Sequence, residues 1–459
     1  MSRPMSKRVW CALLVGMLIL TVTAIQCSPA ETPSEPTKTQ EKVVPEPTKA
    51  EEKEGKRFGG ERVTVLLEDT PWHHGIEETA PGWAEELGID LVLEFLPEVQ
   101  EREKMDLDLT MGTGLYDVYL TDEMYIAKVA AIGALEPLDP FIEAESFDLS
   151  DFPPDGLQTV THDGHLYGIP WRAAMNQLFY RKDILDKYGI AVPDTYEELY
   201  DAAVEVQENL RADGIEDVYG ITARGVRGEG LNMWIIGSSI LPAWGAEWFD
   251  KSGKPQVNSP EFVGAIGYYG KLLQDAGPPD AAAMSWDDCS KFYEAGSAVF
   301  YIDSGIQLSL MKDRGSDVAQ NSEATVIPKG PAGTRHTGLY VPAYVMSKTT
   351  KHKEAAWEFV KFATTYKQML SDAVDGDNFE IARKSVVQSE EFTARFPYPS
   401  LNKSQAASMQ WAREERPMVV EWPQVGDIVG AAAQAVIAGE KTAQEALDEA
   451  QAEIELIYE

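Results

Sequence analysis

From Val63 onward, short apolar runs alternate with longer amphipathic stretches, and this alternation narrows the fold more than any other feature of the chain. Val63-Thr-Val-Leu-Leu67 is short and apolar, as a buried strand requires. Leu91-Val-Leu-Glu-Phe95 and Asp117-Val-Tyr-Leu120 repeat the pattern, with helical stretches between them. Strands separated by helices predict an α/β fold built on parallel sheet. Two helix starts are written out in full. Thr195-Tyr-Glu-Glu198 is a capping box ahead of Leu199, Ala203, Val206 and Leu210, which share one helical face. Thr442-Ala-Gln-Glu445 does the same ahead of Leu447, Ala450 and Ile454, and Gly439 suits the left-handed stop of the preceding helix.

The N-terminal part cannot join that fold. Arg3, Lys7 and Arg8 precede an apolar run, Val9 to Ile25, which reads as a secretory signal and is too short and Thr-interrupted for a membrane span. Cys27 follows where cleavage is expected, and Thr23-Ala-Ile-Gln-Cys27 resembles the lipobox of bacterial lipoproteins, with Gln26 in place of the usual small residue. That resemblance implies a diacylated Cys27 and an extracytoplasmic, lipid-anchored location; a plain secreted chain or a retained apolar anchor is the alternative. Ser28 to Arg57 is mostly Pro, Glu, Thr and Lys without an aromatic residue, which predicts a disordered tether. The expected divisions are therefore 1–26 signal peptide and 27–60 lipidated Cys and tether. Cys11 lies in the signal and Cys27 carries the lipid, so Cys289 has no internal partner and the exported body is held by its core alone. A body of roughly 400 residues exceeds what one core usually serves, so two lobes are expected.

Composition and motifs remove several function classes. The formal charge is −35, and losing three signal cations makes the exported chain more negative still, which repels nucleic acid and anionic membranes. No nucleophile elbow, Walker loop, H-E-x-x-H or glycine-rich dinucleotide fingerprint occurs, so no enzyme activity and no cofactor are expected. His73 and His74 read as surface histidines rather than a metal pair, because neighbours in a strand point to opposite faces. Asp375-Gly-Asp-Asn378 lacks the spacing of a calcium loop and reads as an acidic turn, so no metal is expected. Aromatics are more informative. Trp72, Trp171, Trp234 and Trp244 sit where strands end and loops begin, and ligands of open α/β sheets bind beyond strand carboxyl ends. Indole faces there can stack on the C–H face of a sugar.

Asp163-Gly-His-Leu-Tyr-Gly-Ile-Pro170, Phe179-Tyr-Arg-Lys-Asp-Ile-Leu185 and Pro193-Asp-Thr-Tyr-Glu-Glu-Leu199 together resemble the extracellular solute-binding proteins of sugar ABC importers, with Tyr196 for that family's usual Trp. Gly133 to Leu138, Phe292 to Ala298, Ala355 to Val360 and Ala438 to Leu447 continue the resemblance in the family's order, from Val63 to the end. Gly220 to Gly225, Gly228 to Asn232, Trp248 to Asp250 and Gly277 to Pro279 look like members that bind sugar alcohols and related monosaccharides. The resemblance implies an α/β, two-lobed periplasmic-binding-protein-like fold of type II with the ligand cleft between lobes. Crossings are expected near Arg172, Leu339 and Ala382, giving lobe one as 61–171 plus 340–381 and lobe two as 172–339 plus 382–459. It implies a small hydrophilic ligand, a sugar or polyol, handed to ABC permease subunits by a monomer. An oligosaccharide ligand or a surface nutrient sensor is the alternative. Arg224, Asn232 and Asp303 become ligand candidates by resemblance, and Arg383 stands near the third crossing. Glu123, Asn176 and Tyr340 complete a set in which Trp72, Trp171 and Trp234 supply the rings.

Overall fold

The computed structural model describes residues 56–458 apart from Glu229, Glu415 and Met418, so the expected signal, Cys27 and most of the tether lie outside the described residues. Nine strands build two sheets: β1 (Glu61–Glu68), β2 (Ile89–Leu96), β3 (Val118–Thr121), β4 (Gly168–Pro170), β5 (Asn176–Arg181), β6 (Tyr219–Thr222), β7 (Ala298–Ser304), β8 (Ser322–Val326) and β9 (Ala343–Met346). The first sheet runs β2-β1-β3-β9-β4 and the second β8-β5-β7-β6. All four residues of β3 and all seven of β7 are buried. Such central strands read as unbroken apolar runs because both their faces are covered.

The expected parallel sheet is a mixed one in both sheets. β1 is parallel to β2 and β3, and β6 is parallel to β7. β9 is antiparallel to β3 and β4, and β5 is antiparallel to β7 and β8. The physical reason is connectivity. A parallel neighbour needs a helical crossover within its own sheet, whereas β5 and β9 each receive the chain from the other sheet and can enter in the opposite sense.

Three segments cross between the sheets side by side. Ala174 and Tyr340 exchange backbone bonds of 2.9 and 3.0 Å, Ala173 N donates to Glu380 O at 2.8 Å, and Ala382 N donates to Trp171 O at 3.1 Å. These bonds tie residues 171–174 to 340 and to 380–382. The third crossing is less clean than Ala382 would make it, because Lys384–Val387 and Glu390–Arg395 pack on the helix Tyr366–Val374 of the first-sheet side. The helix Pro399–Ser408 beyond them packs on β8 and β5.

The anticipated helix signals hold their helices. Glu198 N donates to Thr195 Oγ1 and Thr195 N to Glu198 Oε2, opening Tyr196–Ala212 with Leu199, Ala203, Val206 and Leu210 buried. Thr442 and Glu445 make the same reciprocal pair before Ala443–Tyr458, and Gly439 has φ +72. Cys289 is free and buried, and burial pushes its thiol up to about 12, so it is inert. No helix among the described residues is long and apolar enough to cross a membrane.

Candidate ligand-binding cleft

A pocket open to solvent lies between the two sheets, against the first two crossings, and its walls come from both sides. Glu68 closes β1 and Trp72 lies in the turn after it; Arg172 and Ala174 come from the first crossing and Tyr340 from the second. From the other side come Arg224 just beyond β6, Ser304 at the end of β7, Gln307 behind it, Trp234, Trp286 and Arg416. β1, β6 and β7 thus deliver their carboxyl ends to one place, where open α/β sheets bind ligands.

Each arginine of the wall is matched by carboxylate. Arg172 Nε and Nη2 both donate to Glu380 Oε2, at 3.2 and 2.6 Å. Its guanidinium also lies 5.0 Å from the Trp72 ring centre and 5.7 Å from that of Tyr340. Arg224 Nε donates to Asp303 Oδ2 at 2.8 Å, its Nη2 bonds Oδ1, and its Nη1 donates to Gly230 O at 2.8 Å. The fork matches the carboxylate in geometry and charge. Arg416 Nη2 reaches Glu123 Oε1 at 3.1 Å and Glu414 Oε2 at 2.6 Å while its guanidinium covers the Trp234 ring at 5.2 Å. Arg102 pairs with Asp122, which also accepts from the Tyr340 hydroxyl. Burial raises the Glu123 carboxyl well above its ordinary range, with the nearby Arg416 charge opposing.

Of the ten anticipated site residues, Trp72, Arg224, Trp234 and Tyr340 line this pocket. Glu123 stands one layer behind, holding Arg416 and accepting from Val341 N at 2.8 Å. Asp303 is also a layer back, fully buried, with its oxygens taken by Arg224, the Tyr301 hydroxyl and Ser304 N. Asn176 and Asn232 brace backbone. Asn176 Nδ2 donates to Trp234 O at 3.1 Å and Ser239 Oγ at 3.0 Å, and Asn232 Nδ2 to Gly430 O at 2.8 Å.

Two candidates sit elsewhere than anticipated. The Trp171 ring, expected free to stack on a ligand, is 1% exposed, stacks on His73 at 4.3 Å between centroids, and donates from Nε1 to Asp372 at 2.8 Å. A buried indole N–H needs an acceptor, and Asp372 fixes the ring on the first-sheet side. Arg383 is held away from the pocket by Asp151 at 2.8 Å, Thr364 O at 3.1 Å and the Phe152 ring. The histidine reading is corrected as well: residues 71–73 form a helical turn rather than a strand, and His73 is buried. Trp244 packs on Tyr196 and Tyr268. Among the described residues no group of three His, Cys, Asp or Glu is placed to hold a metal ion.

Sequence reasoning missed Glu68, Arg102, Trp286, Gln307 and Arg416. Two carried a local signal. Glu68 ends the first apolar strand, and Trp286 follows Ser285, which caps its helix reciprocally with Asp288. Trp234 is placed by a tight approach, since a Cβ on Gly338 would fall 2.7 Å from its ring.

The family model described as bacterial extracellular solute-binding protein matches residues 72–370. The chain is 26% identical over 385 residues to the mannitol-binding protein of Pseudomonas aeruginosa, covering 80% of this chain and 86% of that one. An ABC transporter solute-binding protein from Agrobacterium radiobacter K84, solved in complex with ribitol, superposes with a TM-score of 0.77 at 27% identity, covering 88% of this chain and 100% of that chain. A second, from Agrobacterium vitis S4 with bound D-mannitol, gives 0.73 at 25% identity over 87% of this chain and 98% of that chain. The fold is the two-lobed α/β fold of these binding proteins, with the cleft between lobes.

Proposed function

The chain belongs to the bacterial extracellular solute-binding proteins, and from that premise we propose that it captures a neutral polyhydroxylated molecule, a sugar alcohol or a monosaccharide, for an ABC importer. The observation that carries this reading is the charge balance of the cleft. Arg102, Arg172, Arg224 and Arg416 are each matched by carboxylate, and Glu68 adds a further acid to the wall. Such a site offers many directional donors and acceptors with no surplus positive charge. It therefore suits hydroxyl groups and discriminates against carboxylate or phosphate ligands. Trp72, Trp234 and Trp286 add faces for the C–H side of the ligand. The mannitol and ribitol named for the similar proteins agree with this chemistry.

Differential affinity of the ligand for the closed arrangement drives closure, and the closed body is what the permease recognises. We read the lobes as 61–171 with 340–381 and 172–339 with the C-terminal part, moving the last boundary from 382 to near Pro399 because of the packing of residues 384–395. The working form is a monomeric lipoprotein without catalytic activity, anchored through Cys27. A thermal-shift screen followed by calorimetry with ribitol, mannitol and erythritol, against maltotriose and galacturonate, tests the ligand class. A polyol at about 100 times its dissociation constant stabilises the protein by about 2.7 kcal/mol. Binding of galacturonate in preference to every polyol would overturn it.

A further inference from the structure

A second cavity, of about 420 Å³, lies between the crossing segments and the helix Pro399–Ser408. Its walls are mainly apolar, from residues such as Met175, Phe379, Ile381, Phe392 and Met409. The first crossing separates it from the polyol cleft. Residues alternate in direction along an extended segment, so Arg172 and Ala174 face the cleft while Ala173 and Met175 face the cavity. The cavity opens to solvent past Ala406 and Met409, and Lys384, Gln388, Thr393, Asn402 and Gln405 add polar groups to an otherwise apolar wall. A dry apolar cavity of about 150 Å³ takes benzene, so this one has room for a chain of roughly a dozen carbons.

The lining also shows what the head group is. The chain carries 75 acidic residues against 40 lysines and arginines, yet no Asp or Glu lines this cavity. Lys384 is its one charged residue, and the structure gives its ammonium no carboxylate among the described residues. We propose that this cavity binds a medium-chain fatty acid, its chain against Met175, Ile381 and Phe392 and its carboxylate on Lys384. A charge-assisted bond to an ammonium is the interaction the lining lacks internally. Because the chain lies against Ala173, Ile381 and Ala382, it biases how the crossings are arranged. It therefore changes polyol affinity, and polyol changes its affinity by the same factor. That coupling rests on the polyol reading of the cleft, whereas the binding itself does not.

Decanoate below its micellar concentration is the probe, titrated by calorimetry into the intact protein, with 1-decanol as the uncharged control. Decanoate is expected to bind at least about tenfold more tightly than the alcohol, with Lys384→Met erasing the difference. Ala406→Trp, at the exposed rim of the cavity, is expected to abolish binding of both. Saturating decanoate is expected to move the mannitol dissociation constant about fivefold or more without competing for its site. The site is refuted if decanoate does not bind, if both variants bind it as wild type does, or if it competes with mannitol. Dimerisation in light scattering, lost in Ala406→Trp, would instead show that a second copy covers this face. If no polyol binds while decanoate does, the polyol reading fails and the cavity assignment stands.

Discussion

Glu123 tests whether the cleft works by closing. It begins the helix Glu123–Ala131 directly after β3, on the first-sheet side, whereas Arg416 lies in the C-terminal stretch between the helices Pro399–Ser408 and Trp422–Ile437. The two side chains meet with no solvent exposure on either. If the lobes part on opening, this contact breaks and both charges return to water, so it supports the closed form alone. Glu123→Gln keeps its one oxygen for Val341 N and turns its amide nitrogen, a donor, toward Arg416, so the bond from the guanidinium is lost. A bond to a charged group contributes about 1.5–3 kcal/mol, and burial, which raises the Glu123 carboxyl, takes part of that away, so the closed form loses about 1–2 kcal/mol. The larger cost of stranding a buried charge does not apply, because Glu414 stays on Arg416.

That loss corresponds to a five- to thirtyfold weaker ligand, with on the order of 1–2 kcal/mol taken from closure rather than from folding. Calorimetry with the best polyol measures the dissociation constant, and small-angle scattering measures how far the radius of gyration falls on adding ligand. Glu123→Gln is expected to need more ligand for the same compaction and to melt, unliganded, close to wild type. An unchanged dissociation constant together with a lowered melting temperature would refute the reasoning, because the pair would then be permanent scaffold in both forms.

Burial pushes the Asp372 carboxyl up to about 7, against the opposing bonds from Trp171 and Gln368. Its contribution to stability is therefore complete below its ordinary value near 4 and is lost as pH rises through 7; Asp372→Asn should remove that fall, about 4 kcal/mol at most, from melting curves recorded between pH 4 and 8. Trp171→Ala should lower stability by about 3–5 kcal/mol in denaturant titrations, and an unfolding midpoint equal to wild type would contradict its buried place. Asp303→Ala strands the buried Arg224 and should cost about 3–5 kcal/mol as well as ligand affinity, whereas Arg383→Ala should leave affinity within about twofold by calorimetry. Cys27→Ala should yield a folded, ligand-competent protein that leaves the membrane fraction, since stable anchoring takes two acyl chains; fractionation identical to wild type would mean the apolar run is retained.

The apolar strands and the two capping boxes were legible in the sequence because each is a local device, complete within about eight residues. The cleft is not local. Arg102, Trp286 and Arg416 come from three distant stretches and meet only because the crossings bring the sheets together. The tryptophans show the same limit at closer range. Trp72 and Trp171 both sit just past strand ends, but Trp171 is turned inward by a backbone bond to Pro342 O and by Asp372, 201 residues away. Asp303, a ligand candidate by resemblance, does lie at the end of a strand, β7. What was missing is the register of β6 against β7, which pairs Thr222 with Tyr301. Two residues further along that same register, Arg224 falls beside Asp303, and the carboxylate that looked available for a ligand is already committed to aiming the arginine at it.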